Sequence, residues 1–106
     1  MLVFSDIRPK TAFVGETVHL HCGSDEIVIP RVDWLYRPSP DVTAHFIISA
    51  GNPVNGDFNG RSNINGTTLI INNVQEEDSG MFICVEDTRF RIEHRVNLTV
   101  QGKLSD

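Results

Sequence analysis

The two cysteines are the residues of this sequence with the clearest capacity for chemistry. Cys22 and Cys84 lie 62 residues apart, and neither belongs to a Cys-x-x-Cys motif. A structural zinc site requires four ligands at short spacings, which this sequence lacks. The pair is therefore either one disulfide across the core, which would stabilise the fold by about 4 kcal/mol in the chain-entropy model, or two buried thiols.

The histidines and the familiar catalytic motifs give no sign of an active site. His19 and His21 would share one face of a strand, but no third metal ligand is within sequence reach. His45 and His94 are isolated in the sequence. Motifs for a serine nucleophile, a zinc protease, a phosphate loop and a dinucleotide site are absent. We therefore expect no metal, no cofactor and no enzymatic activity.

Two N-glycosylation sequons favour an extracellular setting. Asn65-Gly66-Thr67 and Asn97-Leu98-Thr99 both fit the acceptor pattern. Either sequon alone is weak evidence, since the pattern arises by chance. Together with the cysteine pair, they indicate an oxidising compartment.

Length and charge limit the classes of protein further. The chain has 106 residues and a formal net charge of −5, which fits one domain and disfavours binding to nucleic acid or to an anionic membrane surface. No apolar run approaches the ~20 residues of a membrane span, and no signal peptide is recognisable. We expect a fragment of a longer protein, the ectodomain of a type I membrane protein, with residues 1–101 as the domain and 102–106 as a linker.

The apolar pattern has a period of two and predicts an all-β protein. The early strand is expected over Leu2 to Ile7, where Pro9 ends it. Asn-Gly dipeptides mark turns, and Asn65-Gly66 is expected to join a hairpin. One short helical turn is expected at residues 75–78. Seven or eight short strands indicate a two-sheet sandwich. The other predicted strands are Thr17–Cys22, Val32–Tyr36, His45–Ser49, Thr68–Ile71, Gly80–Val85 and Val96–Val100.

The spacing of Cys22, Trp34 and the segment Asp78-Ser79-Gly80-Met81-Phe82-Ile83-Cys84 resembles an immunoglobulin domain. The resemblance implies a disulfide between strands B and F, with Trp34 packed on it. It further implies that Trp34, Phe82, Leu69 and Leu98 belong to the core. Phe82 occupies the position that is usually Tyr, so the hydroxyl bond of the tyrosine corner is expected to be missing.

The same resemblance implies a salt bridge between Arg61 and Asp78 and a variable-type domain with a short C″ strand. The alternative is an intermediate-type domain, because the 50 residues from Trp34 to Cys84 fall between the usual lengths. The Phe-Gly-x-Gly bulge of rearranging receptors is replaced by Ile92-Glu93-His94-Arg95. This departure points toward germline-encoded immune-type receptors or adhesion molecules.

Family members commonly bind through the face formed by strands G, F, C and C′. Alternation places Leu35, Ile83 and Val85 outward there, beside Arg37, and C′ contributes either Phe46 and Ile48 or Ile47. A glycan on Asn97 would share this face and move the patch toward the F–G and C–C′ ends, whereas Asn65 lies away from it. A second candidate is the F–G tip, with Glu86, Arg89 and Phe90, near the B–C loop at residues 23–31.

These features predict an extracellular module that binds another protein, either a second copy in a weak homodimer or a cell-surface ligand. One alternative is a secreted immunoglobulin-type protein that binds microbes or glycans, which would need exposed aromatic residues. The other is a structural spacer, which the outward Leu35, Ile83 and Val85 disfavour.

Overall fold

The structure, a computed structural model, describes residues 2–22, 32–49, 52–54, 57–87 and 91–102. Within these ranges the secondary structure is nine strands and two single-turn 3₁₀ helices, Asp57–Gly60 and Glu76–Asp78. The strands are β1 (Leu2–Phe13), β2 (Val18–Leu20), β3 (Asp33–Arg37), β4 (His45–Ser49), β5 (Asn52–Pro53), β6 (Ser62–Asn65), β7 (Thr68–Ile71), β8 (Gly80–Asp87) and β9 (Arg91–Gln101).

The strands form two sheets, which confirms the predicted sandwich. The larger sheet has the order β1-β9-β8-β3-β4-β5, and the smaller has the order β2-β7-β6. Gly66, at a φ of 64°, lies in the tight turn that joins β6 to β7. The C″ region is reduced to the two residues of β5.

The prediction that the first strand ends at Pro9 is wrong. β1 continues to Phe13 and pairs in parallel with β9, with a shift in register between Phe4 and Ile7. β1 is the edge of its sheet, so it forms a ladder on one side only. A proline without an N–H is tolerated in that position, and Pro9 lies opposite Asn97.

A disulfide links the two layers through the core. Cys22 follows β2 of the smaller sheet and Cys84 lies in β8 of the larger, with their Cα atoms 5.7 Å apart. Trp34 and Phe82 are fully buried in the same cluster, and the Trp34 indole donates to the Thr67 carbonyl at 3.1 Å. Leu69 is also fully buried, and Leu98 is almost so.

A bidentate ion pair closes one end of the sandwich, here called the lower end. The Arg61 guanidinium donates to both carboxylate oxygens of Asp78, at 2.8 and 3.1 Å. It also donates to the main-chain carbonyls of Asn72 and Asn73. The Asp78 side chain is only 5% exposed. The hydrogen bond to Asp78 is the main cause that raises the pKa of Arg61.

Tyr36 supplies a hydroxyl bond to the same end. Its Oη lies 2.6 Å from the Ser79 carbonyl and 3.1 Å from the Glu77 carbonyl, so it donates into the turn before β8. The ring packs on Phe82, with centroids 4.8 Å apart. A hydroxyl from β3 therefore reaches the corner where Phe82 in β8 has none. Burial, and then the Asp78 charge, raise the pKa of Tyr36 to about 12.

Gly80 permits a close approach of β8 to β3. It has a φ of 147°, and a Cβ at this position would lie 2.8 Å from the Arg37 carbonyl oxygen. Any side chain here would push the two strands apart. The glycine of the Asp78-Ser79-Gly80 segment is therefore required by packing.

Replacing Arg61 with alanine should strongly destabilise the fold. The buried Asp78 carboxylate would lose its charged partner and keep only the Gln75 main-chain N–H, which costs about 3 kcal/mol or more and lowers the melting temperature by roughly 10 °C or more. Thermal unfolding followed by circular dichroism measures this. Lys10→Ala, at an exposed position, is the control, and equal melting curves for the two variants would contradict the role of the pair.

Replacing Tyr36 with phenylalanine should cost about 1 kcal/mol at neutral pH through the lost hydrogen bond. This difference should shrink as the pH rises from 10 to 12, because the phenol has its ordinary pKa of 10.0 in the unfolded chain and a pKa of about 12 in the folded one. Urea unfolding of both proteins across that range measures it. Tyr36 is the only tyrosine, so a difference independent of pH would contradict the assignment.

Candidate functional site

The outer face of the larger sheet presents three rows of side chains, defined by the strand register. We call Arg95, Ile83, Leu35 and Phe46 the middle row. The upper row is Glu93, Val85 and Asp33, and the lower row is Asn97, Met81 and Arg37. β8 and β9 pair without a register shift from Gly80 to Asp87. This pairing therefore lacks the bulge that the Phe-Gly-x-Gly motif forms in rearranging receptors. Residues directly opposite one another on neighbouring strands can contact.

The middle row carries the apolar part of this face. Phe46 is 45% exposed, and its neighbour in the register, Leu35, is half-buried, as is Ile83. These three side chains come from three adjacent strands, so they form a continuous strip. An exposed aromatic residue next to aliphatic ones typifies the centre of a protein interface.

The prediction for Ile48 is wrong, because β4 carries a bulge. Trp34 lies opposite Ile48 and Leu35 opposite Phe46, which leaves Ile47 as the extra residue. The bulge interrupts the strict alternation that would place Phe46 and Ile48 on one side. Both Ile47 and Ile48 are fully buried in the core. Of the C′ alternatives, only Phe46 is exposed.

Val85 faces outward but offers almost no surface. It lies in the middle of the sheet, between Asp33 of β3 and Glu93 of β9, and is 4% exposed. It does not belong to the main core cluster. The prediction that Val85 contacts a partner is therefore corrected.

Glu86 is also buried rather than at a loop tip. It lies within β8 and alternates to the same side as Cys84, the inner side of the sheet. Its carboxylate is hydrogen-bonded to the His94 imidazole of β9. Both side chains are almost buried in this pair, so Glu86 is not free to bind a partner. His94 is isolated in the sequence, but its register opposite Cys84 brings it beside Glu86.

Arg37 is exposed, but its side chain is held by the turn that follows β3. The guanidinium donates to the carbonyls of Pro40 at 2.7 Å and Val42 at 2.9 Å. Beside it, the lower row borders a groove of about 740 Å³. The groove extends from the β3–β4 turn across β8 to β9, so it reaches beyond the lower row to Ile83, Arg95 and Glu93.

Asn97 lies on the outer face toward the end of β9, but that end adjoins the C–C′ turn, where the binding patch was expected. Its register partner is Met81, whose own partner is Arg37 at the start of the β3–β4 turn. A glycan on Asn97 would thus cover the side near that turn, which corresponds to C–C′, and leave the middle row accessible. Asn65 is exposed in β6, on the other sheet.

The remaining candidates fall partly outside the described residues. Arg89, Phe90 and the predicted B–C loop at 23–31 lie there.

Among the described residues, no group of three His, Cys, Asp or Glu side chains could hold a metal ion. His19 is exposed and His21 contacts the Thr68 hydroxyl at 3.1 Å. In that same part of the chain, no helix is long and apolar enough to cross a bilayer.

The family comparison gives a match over most of the chain. Residues 7–101 match the family described as "Immunoglobulin V-set domain". No curated protein sequence is similar enough to this chain to match it. The match covers the disulfide, the middle row and the lower end.

The fold recurs in solved structures. One similar structure is described as "Crystal structure of Dpr1 IG1 bound to DIP-eta IG1", with a TM-score of 0.70 and 24% sequence identity. The alignment covers 91% of this chain and 91% of that one. In total, 1706 chains match, so the fold by itself does not identify a partner.

The bulge in β4 predicts that two neighbouring apolar residues respond very differently to truncation. Ile48→Ala should cost about 2–5 kcal/mol, because it leaves a cavity in the core, whereas Phe46→Ala should cost less than about 1 kcal/mol. Urea unfolding monitored by Trp34 fluorescence measures both. Equal losses would contradict the assignment of Phe46 to the outer face.

Proposed function

Because this chain belongs to the immunoglobulin V-set family, we propose that it is an extracellular recognition module. It binds another protein through the outer face of the larger sheet, with Leu35, Ile83 and Phe46 at the centre of the contact. The whole protein is then a cell-surface receptor or adhesion molecule of type I topology. Its partner is a second copy or a different cell-surface protein.

The exposed apolar middle row is the observation that carries this proposal. Phe46 keeps 45% of its surface in water although it lies beside Leu35. Covering such a strip gains about 25 cal/mol per Å² of apolar area removed from water. Arg95 ends the row, and arginine is enriched in protein interfaces. The similar structure, of one IG1 domain bound to another, supports a protein partner.

A sugar-binding protein is less well supported by the middle row. Phe46 borders aliphatic Leu35 in the register, whereas a sugar needs donors and acceptors arranged around the ring that stacks on it. A structural spacer is disfavoured as well, because its sheet faces would be polar. A glycan array tests the first of these alternatives directly.

Leu35→Asp and Ile83→Asp should each weaken partner binding at least about tenfold, because an unpaired carboxylate in an apolar contact costs more than ~1.4 kcal/mol. Self-association is measured first, by sedimentation of the chain over a wide concentration range. If the chain stays monomeric, a multimeric form is screened against cell-surface ectodomains, and each binder is retested with both variants.

Asn63→Asp is the matched control, since it adds the same charge at an exposed position of the smaller sheet. Circular dichroism confirms that all three variants are folded. Full binding by both folded face variants would overturn the assignment of the face. Loss of binding in Asn63→Asp alone would place the contact on the other sheet.

A further inference from the structure

The sequon at Asn97 lies on a regular strand with its acceptor side chain in solvent. Along β9, Val96, Leu98 and Val100 are buried, while Asn97 and Thr99 are exposed. The strand therefore presents both functional residues of the sequon on the outer face. Its partners in the register are Met81 of β8 and Pro9 of β1. The recognition role proposed above does not use this pair.

The groove beside Asn97 has the chemistry of a surface that holds a sugar. Its volume of about 740 Å³ is within the ~300–1,000 Å³ typical of sites for small organic ligands. Pro38, Met81 and Ile83 supply apolar lining, and polar lining comes from Arg37, Glu93, Arg95 and Asn97. A pyranose ring has the same division, with C–H bonds on its faces and hydroxyl groups at its edge.

The walls of the groove are held in place. The Arg37 side chain is bound at its Nε and at one terminal nitrogen by the carbonyls of Val42 and Pro40. Gly80, at another wall, is in contact with the Arg37 main chain. Pro38 has a restricted backbone. Such a surface loses little conformational entropy when it orders a neighbouring group.

We propose that Asn97 is N-glycosylated and that the first N-acetylglucosamine lies in this groove against Met81 and Pro38. The Asn97 Nδ2 forms a bond to C1 of an oligosaccharide carried on a lipid pyrophosphate. The C1–oxygen bond to that carrier breaks, the pyrophosphate leaves with the bonding pair, and the amide loses one proton. The Cys22–Cys84 disulfide agrees with the secretory compartment in which this transfer takes place.

The other sequon provides an internal comparison. Asn65 is exposed at the end of β6, next to the turn at Gly66, and belongs to the smaller sheet. It does not line the groove. A glycan on Asn65 would extend from a hairpin turn and leave Met81 unaffected.

The groove overlaps the recognition face at Ile83 and Arg95, but Leu35 and Phe46 do not line it, so a sugar at its Met81 end would border that face. The lower row and the middle row are two residues apart along each strand, which is about 7 Å. The first sugar would cover Met81 and the lower edge, while Leu35 and Phe46 stay open to a partner. A partner would thus be restricted to approaches from the middle and upper rows.

The test uses the 106-residue chain secreted from a eukaryotic cell that performs N-glycosylation. Mass spectrometry of peptides, with and without enzymatic deglycosylation in heavy-oxygen water, measures occupancy at Asn97. Thr99→Ala removes this sequon and keeps Asn97 itself, and Asn65→Gln removes the other one. We expect Asn97 to be occupied in wild type and Asn65→Gln, and unmodified in Thr99→Ala.

Oxidation of Met81 by dilute peroxide then reports the position of the sugar. Met81 is half-buried, and sulfoxide formation depends on exposure of the sulfur. We expect oxidation several-fold slower in the glycosylated protein than in Thr99→Ala. Protection should persist after an endoglycosidase trims the glycan to its first sugar, and Asn65→Gln should oxidise at the wild-type rate.

Two results would overturn the proposal. One is a secreted protein with Asn97 unmodified, and the other is an equal rate of Met81 oxidation with and without the single sugar. Asn97→Gln serves as a second variant if Thr99→Ala fails to fold. Leu35→Asp, at a residue that does not line the groove, should leave both readouts unchanged, so failure of the glycan proposal and failure of the recognition proposal are distinguishable.

Discussion

The alternation of β8 is the constraint on which the rest of the molecule depends. Phe82, Cys84 and Glu86 face the other sheet, and Met81, Ile83 and Val85 face outward. The disulfide to Cys22 fixes this register, because a slip of one residue would turn Cys84 to the solvent side. The disulfide in the core thus determines which side chains of β8 face outward. Through the regular pairing with β3 and β9, the same constraint sets all three rows.

The lower end shows how the fold satisfies main-chain groups where the apolar core stops. Arg61 bonds two carbonyls after β7 as well as Asp78, and Tyr36 bonds carbonyls before β8. These two side chains thus tie the segments on both sides of the short 3₁₀ helix to the body of the sandwich. The turn then leads into Gly80, which contacts the Arg37 main chain. The polar closure of the core therefore also positions the lower row.

Sequence periodicity predicts this fold well where apolar and polar residues alternate without a break. It predicts the fold less well where the pairing of strands determines which way a side chain faces or where a strand ends. Leu35 and Ile83 could be assigned to the outer face because Trp34 and Cys84 had to face inward. Ile48 could not, since the bulge in β4 depends on its pairing with β3. Pro9 is compatible with a strand only because that strand is at an edge, a property of sheet order rather than of local sequence.

Two polar contacts could not be predicted from the sequence for a related reason. Tyr36 lies 41 and 43 residues from the carbonyls that it bonds, and no local motif joins them. The hydrogen bond between Glu86 and His94 depends on the register of β8 against β9. Such contacts require knowledge of which strands are neighbours. The same knowledge is needed to predict the site. The roles proposed for Phe46 and Asn97 depend on which residues lie opposite them on neighbouring strands.

The charge of the chain bears on which partner the middle row can accept. With a net charge of −5, two copies repel at long range, so homophilic contact must rely on apolar burial at Leu35, Ile83 and Phe46. Salt screens this repulsion, with a Debye length of about 8 Å at physiological ionic strength, and would strengthen such a dimer. A basic partner would be attracted by the same charge, and salt would slow its association. The ionic-strength dependence of binding therefore has opposite signs for the two classes of partner, although the apolar centre of the contact is the same.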